Sequence, residues 1–423
     1  MPQSATQTDT QLELQVRVIS DLGEVAPGDW NACISDHPRE RDDCIPDEKA
    51  HPVSELSAPP LTRPHNPFVS HAFLSALERS GSATPRTGWA PQHLLIETKD
   101  GRLLGVAPCY LKSHSRGEYV FDQGWADAYE RAGGSYYPKL QVSVPFTPAT
   151  GPRLLVAPSP QAATVRETLA GGLVALCQKR SASSVHLTFL PQTDWDFLGT
   201  KGFLKRTDQQ FHWQNEGYSS FDDFLAALAS RKRKVIKRER RDAAEAGITI
   251  HHLTGSDLTE AVWDDFFAFY MDTGSRKWGR PYLTRSFFSL INETMADQIL
   301  LVMAKRNGRY IAGAINFIGS DALFGRHWGA VEHHPFLHFE LCYYQAIDYA
   351  IAHKLKTVEA GAQGEHKIAR GYVPVTTYSS HYIAHPGLRR AIADYLKHER
   401  AYVDAAGREL EALAPFRKTD WQE

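Results

Sequence analysis

Two hairpin signals dominate this chain and recur in the same context. Residues 93–111, HLLIETKDGRLLGVAPCYL, turn at Asp100–Gly101, and residues 298–318, QILLVMAKRNGRYIAGAINFI, turn at Asn307–Gly308. Alternating apolar runs around D-G or N-G predict tight hairpins, because those residues accept positive φ. An amphipathic helix follows each one (161–180 and 338–354), then a strand (184–190 and 357–361), then the phrase KGFLKR or RGYVPV. A unit of roughly 200 residues is too long for a solenoid repeat and predicts a duplicated domain. From Gly101 to Gly202 is 101 residues and from Gly308 to Gly371 is 63, so the first copy carries about 38 extra residues, placed between Ala126 and Pro158.

A hairpin meander followed by a helix and one more strand predicts an α/β (α+β) fold. Its sheets should be mixed and mostly antiparallel, with helices on both faces. The expected division is a polar tail at 1–11, a first domain at 12–205, and a second at 206–423 ending in a long helix at 388–414. Alternation predicts a strand at 12–22, Asn66–Pro67 the start of a helix, and Pro, Asp and Arg a loop at 37–64. A single helix of about 40 Å is expected over residues 221–246, with Phe221, Phe224, Leu225, Leu228, Val235 and Ile236 as its apolar stripe.

Composition excludes several classes. The net charge of −2 gives no overall field for nucleic acid or an anionic membrane. Five scattered cysteines without a C-x-x-C pair argue against a disulfide framework or zinc site and fit a reducing cytosol. The N-terminus lacks the basic and apolar regions of a secretory signal, and no run reaches the roughly 20 apolar residues of a membrane span. The expectation is a soluble, cytoplasmic protein.

Reactive side chains concentrate in residues 357–375, TVEAGAQGEHKIARGYVPV. Glu359 and Glu365 can take a proton, His366 can shuttle one, and Lys367 and Arg370 can hold a phosphate or carboxylate. Residues 231–241, RKRKVIKRERR, put eight cations among eleven positions, with Glu239 the one acid. Such crowding points to an anionic ligand, since like charges at helical spacing repel. In RKWGRPYLT (276–284), Trp278 and Tyr282 can wall a cleft while Arg276, Lys277 and Arg280 reach an anion. The segment LFGRHWGAVEHHPFLHFE holds His327, His333, His334 and His338, but Pro335 keeps them off one helical face, so no metal is expected. Glu340 opens the following helix and can point into a cleft as a base.

Together with VPFTPATGPR and HFELCYYQAI, these phrases resemble the FemAB-like (peptidoglycan biosynthesis/recognition) family within the GNAT superfamily of N-acetyltransferases, over about residues 12–417. The resemblance implies tandem GNAT-like domains, the first degenerate. It also implies N-acyl transfer from an acyl-CoA-type co-substrate to a small-molecule or peptide amine. By the same resemblance, Thr150, Gly151 and Arg153 would hold the coenzyme A pyrophosphate, and Lys367 would lie near the donor's phosphate or ester. Pro145, Pro148 and Pro152 depart from the usual glycine-rich loop. Acyl transfer needs a base, an oxyanion donor and an acid for the leaving group. Glu359 or Glu340 is the base; Tyr343, Tyr344 or an amide near Gly361 is the donor; His366 can serve either step. Lys277, Trp278, Tyr282, His327, Gln363 and Glu365 would face the substrate, with Arg370 beside Lys367. One alternative is a Fem-like aminoacyl transfer from aminoacyl-tRNA, which the basic helix favours and the lack of an added helical arm opposes. Another is a non-catalytic recognition module.

Overall fold

A computed structural model describes residues 13–34, 65–245, 247–277, 281–361 and 364–417. The first half runs β1 (Leu14–Ile19), α1 (Pro27–Ala32), α2 (His71–Arg79), β2 (Trp89–Pro91), β3 (His93–Thr98), β4 (Leu103–Ala107), β5 (Cys109–Lys112), α3 (Gln123–Arg131), β6 (Lys139–Val142), β7 (Leu155–Val156), α4 (Ala162–Lys179), β8 (Ser184–Leu190), α5 (Gln192–Thr200) and β9 (Leu204–Gln214). The second begins with α6 (Phe221–Ala227), α7 (Ser230–Ala244), β10 (Ile248–Leu253), α8 (Glu260–Lys277), α9 (Arg285–Met295), β11 (Ile299–Arg306), β12 (Arg309–Ile318) and β13 (Ala322–Ala330). It ends with α10 (Leu337–Phe339), a π turn (Glu340–Tyr344), α11 (Gln345–Ala352), β14 (Thr357–Glu359), a 3-10 turn (Glu365–Arg370), β15 (Val373–Ile383) and α12 (Pro386–Glu411).

Both expected hairpins form. β3 pairs antiparallel with β4, and β11 with β12. Gly101 takes φ 84° in a three-residue loop closed by Thr98 and Arg102, and Asn307 and Gly308 take φ 48° and 78°, the left-handed values that a two-residue turn demands. Helix α3 fills the stretch where the extra residues of the first copy were expected.

The copies interlock. One sheet runs β1-β3-β4-β7, and an eleven-stranded one runs β10-β11-β12-β13-β14-β9-β15-β8-β6-β5-β2. Within it β6–β8 and β13–β14 are parallel, while the other neighbours among the described residues are antiparallel. Each half gives its last strand to the other: β9 lies against β14, and β15 against β8. β9 and β15 pair along the seam between them. The expected boundary after residue 205 therefore falls inside β9. An aromatic core joins the halves as well, with Phe68 and Phe73 of the first packed at 5.0–5.6 Å on Phe317, Phe324 and Phe287 of the second.

The single helix expected over 221–246 is two. Leu228 is extended (φ −82°, ψ 152°) and forms a bridge with Phe416. Ala229 N–H donates to Pro415 O and Arg417 N–H to Ala227 O. The C-terminal segment thus supplies hydrogen bonds that a continuous helix would have supplied itself, and the apolar stripe turns a corner instead of running straight. The 37–64 loop lies outside the described residues.

Candidate active site

The centre begins where two parallel strands part. β13 and β14 are in register from Ala322–Thr357 to Phe324–Glu359. Beyond that point β13 continues along β12 to Ala330, while the other chain turns away through Gly361 at φ 75°. Alternation sends Val358 into the apolar core and Glu359 to the opposite face. Removal from water pushes the Glu359 carboxyl up to about 8, against the pull of Arg326, a backbone hydrogen bond from Thr150, and Arg153. Arg326 donates to Phe146 O at 2.9 Å, so the 143–153 loop of the first half closes over the split in the second. Tyr282 stacks on Phe146 at 4.7 Å and 12°. A water-sized cavity of about 10 Å³ lies where Phe146, Thr147, Arg326 and His327 meet the aromatic core between the halves. His327 stands edge-on to Tyr270 at 5.0 Å, and burial with Arg326 nearby pushes its ring down to about 3. It is a neutral wall of the site.

The turn after Glu359 faces inward. Lys367 is 4% exposed, and its Nζ donates to Ala360 O and Gly361 O, tying the turn back onto the strand end. Burial lowers this ammonium to about 8. Arg370 donates to His366 O at 2.7 Å and to both oxygens of Glu239 at 2.8 and 2.9 Å, with its guanidinium 3.4 Å over the Phe339 ring. Glu239, the one acid of the basic run, is the buried residue that anchors this turn to α7. His366 lies at the surface, with Tyr343 Oη 3.0 Å from its Nε2.

Several expected roles are redirected. Tyr344 gives its hydroxyl to Glu239 inside the core, so it is a support and not an oxyanion donor. Glu340 is held by Arg240 at 3.0 Å and by Gln345 at 2.6 Å. Its oxygens are thus engaged by α7 and α11. Arg153 is fully buried and spends its donors on the carbonyls of Thr188, Gly151, Pro152 and Ala149. In the same loop, the amides of Phe146, Thr147 and Gly151 bond Gly117 O, Val144 O and Phe189 O, and Thr150 serves Glu359. With three prolines besides, the loop is not a cradle for a pyrophosphate. Trp278, Arg280 and Gln363 lie outside the described residues, as do the side chains of Arg276, Lys277 and Glu365. Among the described residues, no group of three or more His, Cys, Asp or Glu could hold a metal ion, and no helix is long and apolar enough to cross a membrane.

Sequence reasoning missed Arg326 and Glu239. The signal for Arg326 was a lone cation inside the apolar strand LFGRHWGA, and for Glu239 a lone acid among eight cations.

A second buried charged cluster lies in the first half. Lys139 holds Glu118 at 2.6 Å and also Asp122, and His186 on β8 meets His381 on β15 with 2.7 Å between their Nδ1 atoms. The histidine pair spans the seam between the copies.

Among solved structures, FemX is 13% identical with a TM-score of 0.48, over 76% of this chain and 93% of that one. A tandem GNAT protein from the clavulanic acid biosynthesis pathway is 12% identical with a TM-score of 0.44, over 88% and 99%. A GCN5-related N-acetyltransferase from Kribbella flavida is 10% identical with a TM-score of 0.32, over 69% and 59%. No curated protein matches the chain. The model of the FemAB-like family, described as peptidoglycan biosynthesis/recognition, matches residues 23–418. The chain therefore belongs to the FemAB-like family of peptidoglycan biosynthesis/recognition proteins.

Proposed function

We propose that the split between β13 and β14 is the reaction centre of an N-acyltransferase that moves an acyl group from an acyl-CoA to a peptidoglycan-type amine. The observation that carries this reading is Glu359: a strand-end carboxyl raised to about 8, facing Arg326 and beside the turn that holds Lys367. The donor supplies an activated acyl carbon. Glu359 receives one ammonium proton, the freed amine nitrogen bonds to that carbon, the bond to the donor's sulfur breaks, and the second nitrogen proton leaves on that sulfur as the coenzyme A thiol. A carboxylate near 8 suits this better than an ordinary one, because its proton affinity is closer to that of the amine. Arg326 and Lys367 bring positive charge to the strand end, where the leaving group's negative charge needs a partner. Lys367 also fixes the Ala360–Gly361 turn through both carbonyls.

With Glu359 and Lys367 both near 8, the active form has the carboxyl ionised and the amine charged. That form peaks near pH 8, so turnover should follow a bell centred there, the two limbs belonging to the pair. Acyl-CoA binding by calorimetry and a pH–rate profile of amine acylation test the reading. A flat profile from about pH 6 to 9, or no binding of acetyl-CoA, overturns it. Transfer from an aminoacyl-tRNA ester is the second reading. It is favoured by Arg231, Lys232, Arg233, Lys234 and Arg238 of α7, which have no ion-pair partner among the described residues. A charged tRNA in the same assay separates the two.

A further inference from the structure

The far end of β9 belongs to the second half's split. β14 pairs antiparallel with it, Val358 opposite Trp213 and Glu359 opposite His212. Val358 and Trp213 are fully buried in one apolar cluster. Alternation therefore puts Glu359 and His212 together on the other face. Opposite residues of an antiparallel pair hold their Cβ atoms roughly 4.5–5.5 Å apart, so the carboxyl and the imidazole are direct neighbours.

The hydrogen bonds around His212 fix which ring nitrogen carries its proton. Gln210 stands on the same face and is 1% exposed. Its amide nitrogen donates to Pro148 O at 2.7 Å, in the loop that closes over the split. A carbonyl only accepts, so the amide has one orientation, with Oε1 3.3 Å from His212 Nε2. That oxygen also only accepts, which puts the imidazole hydrogen on Nε2. Burial, with the Lys367 ammonium nearby, pushes the ring down to about 4 and keeps it neutral. Nδ1 is then a bare acceptor. Among the described residues it has no hydrogen-bond partner, and it is not one of the side-chain atoms closed off from solvent. The face thus presents two acceptors side by side, one that takes a proton and one that does not.

We infer that His212 is a further catalytic residue of this centre, accepting one N–H of a primary amine at Nδ1 while Glu359 takes another as a proton. The role rests on the acyl-transfer reading of Glu359 and adds the class of acceptor to it. A primary ammonium has three N–H bonds. One proton goes to Glu359, one leaves on the donor's sulfur, and one stays in the amide. The hydrogen that stays is the one His212 holds, so its hydrogen bond lasts from ammonium to product and orients the nitrogen throughout. A secondary ammonium has two N–H bonds and loses both, which leaves His212 nothing to hold when the carbon–sulfur bond breaks. Gln210 is a positioning residue, since it acts only by setting the tautomer.

The test acylates two acceptors with acetyl-CoA and the full chain: Nα-acetyl-lysine amide and its Nε-methyl derivative. His212→Phe keeps a ring in place and should lower kcat/KM for the primary amine by about 10–100-fold, the worth of one hydrogen bond to a charged group. The KM for acetyl-CoA and the rate with the N-methyl amine should change little, so the preference for the primary amine collapses. That ratio does not depend on the fraction of folded protein. His212→Asn, whose side-chain oxygen reaches about as far as Nδ1, should restore much of the preference. An unchanged ratio in His212→Phe overturns the inference, as does an equal loss on both amines in both variants, which would make the residue structural. Ring ¹⁵N spectra separate this result from the fate of the acyl-transfer reading. The Nδ1 signal of His212, assigned by its loss in His212→Phe, should move when the primary amine is added. Movement without turnover supports the contact and removes the acyl-transfer reading. Turnover with an unmoved ring keeps that reading and overturns the role of His212, and absence of both overturns both.

Discussion

The segments after β8 and after β14 occupy equivalent places in the two copies and bury charges of opposite sign beside an apolar residue. After β8 the chain forms α5, whose Leu198 is fully buried in an apolar cluster. Asp194 of the same helix is buried too and pairs with Arg166. After β14 a 3-10 turn takes the corresponding place and buries Lys367 and Arg370 together with Ile368, which joins the apolar core. Among the described residues Lys367 is met by two carbonyls and no acid, and Arg370 by one acid from a distant helix. Burying cations is costly where an aliphatic residue would serve, and that cost is expected where chemistry needs the charge. One copy buries an acid paired to a cation at this corner, the other buries two cations beside a strand-end carboxyl.

Four experiments press on that contrast. Glu359→Gln should lower turnover by about 10²–10⁴-fold while the fold persists, because the substitution removes the base and keeps its shape. In the first copy Asp194→Asn should leave turnover unchanged. Equal rates for wild type and Glu359→Gln would end the assignment of the centre. Arg370→Ala should cost about 3–5 kcal/mol in urea denaturation, since Glu239 would be left buried and uncompensated. Leu198→Ala should cost about 2–5 kcal/mol by leaving a cavity, with turnover per folded molecule unaffected. If it depresses the rate instead, the two corners are coupled and the contrast is weaker than drawn.

The fourth experiment addresses the seam. Burial pushes His186 down to about 3 and holds His381 well below its ordinary value. The folded state then binds fewer protons than the unfolded chain, whose histidines titrate near 6.5. Stability from the pair is complete above that value and falls as pH drops below it. The slope is up to about 1.4 kcal/mol per pH unit for each histidine until the folded values are reached. Urea midpoints between about pH 7.5 and 5.5 measure this, and a level line would mean the pair does not stay neutral.

Local pattern was legible wherever neighbours in sequence decide the outcome. The hairpins at Asp100–Gly101 and Asn307–Gly308 were readable because φ > 0 at the turn is a property of those residues. The repeat was readable because each copy keeps its own order of elements. Glu359 and Lys367 stood out because ionisable residues crowd a short strand and turn. What remained hidden depends on partners far along the chain. The C-terminal segment breaks the 221–246 helix at Leu228 through hydrogen bonds from residues 415–417. Arg153 looked like a phosphate ligand until the carbonyls of its own loop and of Thr188 enclosed it.

The sequence by itself determined that there would be two copies of one α/β plan. It could do so because periodicity and turn chemistry act over a few residues. Only the tertiary structure decided that the copies exchange β9 and β15, that the first half's loop closes over the second half's split, and that Glu239 anchors the turn beside Glu359. Those outcomes rest on pairing and burial across a hundred or more residues, where strand hydrogen bonds and desolvation choose among partners that each segment alone leaves open.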